Sequence, residues 1–121
     1  MCVCVCVPTE LSLTYFIEDS TEMEEMDITN KTLSLPVDTR NVWVMTGSSH
    51  PDPLKDVIPL WYFNDELLRA MEYPHGVEQH EHKLKFARIL ESKEQEGNYT
   101  IKIDKYSVSF RLVVGKLLYI V

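Results

Sequence analysis

The chain has 121 residues, 45% hydrophobic and 26% charged, the balance of a globular domain and not of a disordered or membrane-embedded one. Its net charge of −7 repels phosphate backbones and sets nucleic-acid binding aside. The acid is uneven: residues 1–50 hold eight acids and two bases, residues 51–121 eleven acids and ten bases.

Taken from the start, Cys2, Cys4 and Cys6 alternate with valines at the period of a strand, which puts all three thiols on one face. No basic segment precedes this short apolar run, and no run reaches the ~20 residues of a membrane-spanning helix. An intracellular address, cytoplasmic or nuclear, is expected, and three cysteines do not make a disulfide framework.

Leu11 to Ile17 reads as a strand, and the acidic stretch Glu18–Asp27 as a solvated connection. Ile28–Leu35 alternates and Pro36 closes it. Asn41–Met45 is rich in β-formers and should stop at the loop Thr46–Ser49. Pro51, Pro53 and Pro59 break up the middle. Asn64 is a candidate cap for a short helix from Asp65 to Glu72, with Leu67, Leu68 and Met71 on one side.

Residues 77–96 carry helix-forming side chains but no helical stripe. A strand over residues 82–91 is preferred, paired through a turn at Lys93–Gly97 with the strand that follows. Tyr99–Asp104 and Tyr106–Leu112 alternate as a hairpin; Gly115–Lys116 then marks a turn before a last strand to Val121. The expectation is a single α+β domain over residues 1–121, mainly antiparallel sheet, with a short helical middle segment and a C-terminal β-meander.

Candidate chemistry is sparse. The glycines are isolated and no phosphate loop or nucleophile elbow can be built from them. Cys-x-Cys-x-Cys on an extended strand spaces the thiols ~6.6 Å apart, which suits packing better than one shared ion. His80 and His82 would share a face of a strand and, with His75 and the cysteines, are the metal-ligand candidates. Trp61, Tyr62 and Phe63 form an aromatic patch of the residue types found at binding hot spots, and Glu22, Glu24 and Glu25 form an acidic one.

The reading is a small non-catalytic protein-binding or regulatory module, without a cofactor. It would act through Trp61, Tyr62, Phe63 and the acidic N-terminal half on a protein partner with a basic surface. The alternatives are a metal-binding protein using His80 and His82, and a structural subunit of a larger assembly. Sheet edges offer a route to a homo-oligomer.

Overall fold

The computed structural model describes residues 11–18, 25–48, 57–68 and 76–115. Within them the chain forms β1 (Leu11–Ile17), β2 (Met26–Asp27), β3 (Thr32–Pro36), β4 (Arg40–Ser48), β5 (Leu60–Phe63), β6 (Glu66–Leu67), β7 (Val77–His80), β8 (Lys83–Arg88), β9 (Gly97–Ile103) and β10 (Tyr106–Gly115). They make two five-stranded sheets, β2-β1-β4-β8-β7 and β3-β10-β9-β5-β6. All pairings among them are antiparallel except β3 with β10.

Alternation dictates the sandwich. A strand with one wet and one dry face must cover the dry one, and a second sheet does so. In β3 every second residue is buried and the others are exposed; β9 and β10 follow the same period. Leu13, Val42, Val44, Leu84 and Phe86 of the first sheet meet Trp61, Phe63, Tyr99, Ile101, Phe110 and Leu112 of the second. Phe86 enters edge-on against both Tyr99 (5.3 Å between centroids) and Phe110 (6.4 Å), which themselves stack at 5.1 Å. Burial of each such ring stabilises by about 1.5–3 kcal/mol, and each ring pair adds about 0.5–1.5 kcal/mol.

The fold is therefore all-β among the described residues, not α+β. The expected helix does not begin at Asp65, which lies in a turn followed by β6; residues 69–72 of that expectation lie outside the described residues. Asn64 and Asp65 both take positive φ (48° and 68°) and form the two-residue turn that joins β5 to β6. Asn64, read as a helix cap, spends its side-chain oxygen on the Asn98 N–H (2.9 Å) in the neighbouring strand. A short polar side chain serves a cap or a left-handed turn equally well, and tertiary pairing chose the turn.

The strand preferred over residues 82–91 is present as β8, but with other neighbours: it pairs with β4 and with β7, which precedes it across the turn at Glu81–His82, and not with the strand that follows Gly97. Gln95, fully buried, accepts from Leu90 N–H (3.0 Å) and donates to Arg88 O (2.9 Å). It closes a connection that carries the chain to the other sheet. β4 runs through Thr46 and Gly47 to Ser48, so no loop starts at 46. Gly115 is the last residue of β10, opposite Pro36, and Lys116, the other half of the expected turn, lies outside the described residues. The expected last strand, residues 117–121, lies outside the described residues, as do Cys2, Cys4 and Cys6.

Candidate interaction surface

The outer face of the first sheet follows from its inner one. Since Val42, Val44, Leu84 and Phe86 point inward, Trp43, Met45, Lys83 and Lys85 point outward, joined by Phe16 of β1. Register builds them into rows. Phe16 lies opposite Trp43, Trp43 opposite Lys85, and Lys85 opposite Glu78. The next row is Thr14, Met45, Lys83 and His80.

Trp43 is the centre of this face and is only partly buried. Its indole N–H donates to Glu18 Oε2 at 3.1 Å. The Lys85 and Lys83 ammonium groups lie 5.1 Å and 5.9 Å from its ring centroid, and the His80 ring 5.4 Å away. A cation at such a site is held by about 0.5–1 kcal/mol. The result is an apolar strip, Phe16–Trp43–Met45, bordered by two lysines. The second sheet's outer face differs: it carries an open polar depression of about 380 Å³ over Thr32, Asn98, Thr100, Ser109 and Arg111.

The aromatic patch of the sequence divides between faces. Trp61 and Phe63 are buried, 1% and 4% exposed, and Trp61 donates its N–H to Glu81 O at 2.9 Å across the sandwich. Tyr62 lies on the outer face with the Lys102 ammonium 4.6 Å from its ring centroid. Glu25 is exposed; Glu22 and Glu24 lie outside the described residues. The acidic end of that segment is organised at Asp27. Its carboxyl accepts from the Thr29 hydroxyl (2.6 Å) and lies 3.3 Å from the Lys31 ammonium. The Thr29 side-chain and backbone bonds, then Lys31, hold it below its ordinary range.

His80 and His82 do not share a strand face: His80 ends β7 and His82 sits in the turn after it. His80 Nε2 lies 3.7 Å from Glu78 Oε1 and its ring rests against Trp43. Among the described residues no three of His, Cys, Asp and Glu converge as metal ligands. His75 and the cysteines lie outside those residues. Among the described residues no helix is long and apolar enough to cross a membrane.

Trp43 is the residue that composition-based reasoning passed over. Its signal was present: in Val42-Trp43-Val44, two valines that point inward oblige the tryptophan to point outward.

No protein-family model matches the chain, and no curated protein matches it. Solved structures share its fold. The "IG27 protein domain" superposes with a TM-score of 0.52 at 16% identity, over 71% of this chain and 86% of that one. The I9–I11 tandem from titin superposes with a TM-score of 0.52 at 8% identity, over 74% of this chain and 32% of that one, so the chain spans about a third of that tandem. The likeness is one of fold, an immunoglobulin-like sandwich, and local features agree with it. Such sandwiches bury a tryptophan on the third core strand and close a tyrosine corner onto a backbone carbonyl. Here Trp61 takes the first place, and Tyr99 donates its hydroxyl proton to Gln95 O at 2.5 Å. Two residues beyond that tyrosine, where the antibody framework has a cysteine, stands buried Ile101.

Proposed function

We propose that this chain is a non-catalytic β-sandwich module that binds another protein on the outer face of its first sheet. The observation that supports it is Trp43, partly exposed in a continuous strip with Phe16 and Met45 and flanked by Lys83 and Lys85. Tryptophan and nearby cations on a rigid sheet are the chemistry of a contact hot spot, and the lysines favour a partner that brings carboxylates to the rim. The buried pair Trp61 and Phe63 serves the core in this reading, and Tyr62 belongs to the opposite face.

The test is binding from the native source, compared between the wild-type chain, Trp43→Ser, the double change Lys83→Glu with Lys85→Glu, and Thr100→Ala on the other sheet. A partner retained by Thr100→Ala and lost by both first-sheet variants, with melting temperatures preserved, supports the reading. A partner indifferent to Trp43 and both lysines overturns it.

A further inference from the structure

Each sheet ends in two edge strands, and edges with unpaired backbone groups invite another chain. β2 and β6 have two residues each, and β3 ends in Pro36. β7 has four residues, Val77-Glu78-Gln79-His80, without proline, glycine or lysine. Glu78, Gln79 and His80 are all exposed, and no described strand pairs with the outer side of β7.

Register shows which groups are open. Ala87 N–H donates to Gly76 O at 2.8 Å, so Gly76 and Ala87 are a hydrogen-bonded pair. Bonded pairs alternate along an antiparallel ladder, so Glu78 with Lys85 and His80 with Lys83 are bonded too. Val77 and Gln79 therefore aim their N–H and C=O groups away from β8, into the open edge.

We propose that β7 is a self-association edge, at which two copies of this chain pair antiparallel about a twofold axis through Gln79. In that register Gln79 exchanges both backbone hydrogen bonds with the partner's Gln79. Glu78 stands opposite the partner's His80 on the outer face, and His80 opposite the partner's Glu78. The strand is self-complementary in hydrogen bonding, a carboxylate opposite an imidazole N–H on both sides of the axis, which is what an isologous interface requires. The same two groups already approach to 3.7 Å within one chain. Moving the axis to Glu78 sets two carboxylates face to face, and moving it to His80 shortens the paired length. Lys85 faces Glu78 and Lys83 faces His80 from β8, and the Trp43 ring supports His80 from β4. The association is separate from the binding of any other protein to the Trp43 strip.

Sedimentation equilibrium of the full chain over a concentration series tests it. The wild type should show a reversible monomer–dimer equilibrium. Gln79→Pro removes an outward N–H and fills the edge without touching a β7–β8 bond, so it should be monomeric with an unchanged melting temperature. His80→Glu puts Glu78 opposite the partner's new carboxylate and should weaken the dimer by about tenfold or more. His80→Lys should hold it at wild-type strength or better. If Gln79→Pro does not fold, the order Lys, wild type, Glu at position 80 decides by itself. A wild-type chain monomeric to about 1 mM overturns the proposal. So does a dimer indifferent to both position-80 variants.

Discussion

Trp61 and Trp43 stand on opposite kinds of surface in one sandwich. Trp61, on β5, is 1% exposed and bonds to the Glu81 carbonyl oxygen of the opposite sheet. Trp43, on β4, faces outward, bonds to the Glu18 carboxylate and is overlaid by two lysines and a histidine. Both occur between β-forming neighbours. What separates them is the parity of their strand positions relative to the core. The first ring holds two sheets together; the second lies partly buried on the outer face of one of them.

Trp61→Ala breaks the inner half of that comparison most severely. It opens a cavity and strands the Glu81 carbonyl, and should cost about 3–5 kcal/mol in denaturant unfolding. Tyr99→Phe keeps the ring and removes the corner bond from its hydroxyl to the Gln95 carbonyl. The expected cost is about 0.5–1.5 kcal/mol by the same measurement.

The same hydroxyl gives a pH signature. Burial, with the nearby Glu94 charge, pushes the Tyr99 phenol well above its ordinary 10.0. Its folded pKa is raised, so its stabilisation is complete below about pH 10, where the unfolded phenol is protonated, and is lost as pH rises beyond that. Denaturation midpoints recorded from pH 8 to pH 11 should fall more steeply for the wild type than for Tyr99→Phe.

Smaller effects sharpen the rest. Asp65→Gly relieves a positive φ in the two-residue turn and should stabilise by about 0.5–1 kcal/mol, seen as a raised midpoint. Trp43→Ser should change stability by no more than about 1 kcal/mol, while removing partner binding. A loss as large as that of Trp61→Ala would place Trp43 among the structural residues instead.

The hairpin of β9 and β10 was legible from the chain, because Tyr99–Ile103 and Tyr106–Leu112 alternate cleanly around a short polar turn. β1 and β3 were legible for the same reason. The middle was not. Asn64-Asp65 is compatible with both a cap and a left-handed turn, and Phe63 pairing with Tyr99 of β9 decided between them. The partners of β8 were hidden as well. Nothing local in Lys83–Arg88 says that it pairs with β4, forty residues earlier, and not with the next strand. The aromatic patch divided for a related reason: a strand sends alternate rings to opposite faces, so Trp61 and Phe63 enter the core and Tyr62 faces outward.

The sequence by itself determined the pleated character of most described elements, the inward positions of their alternate apolar side chains and the acidic balance. These depend on period and composition, which act within a few residues. Tertiary structure alone decided which strands share a sheet, that a turn and not a helix follows Phe63, and that Trp43 and β7 remain on the outside. Those outcomes depend on contacts between segments far apart in the chain, and such contacts come to exist only when the two sheets close over their common core.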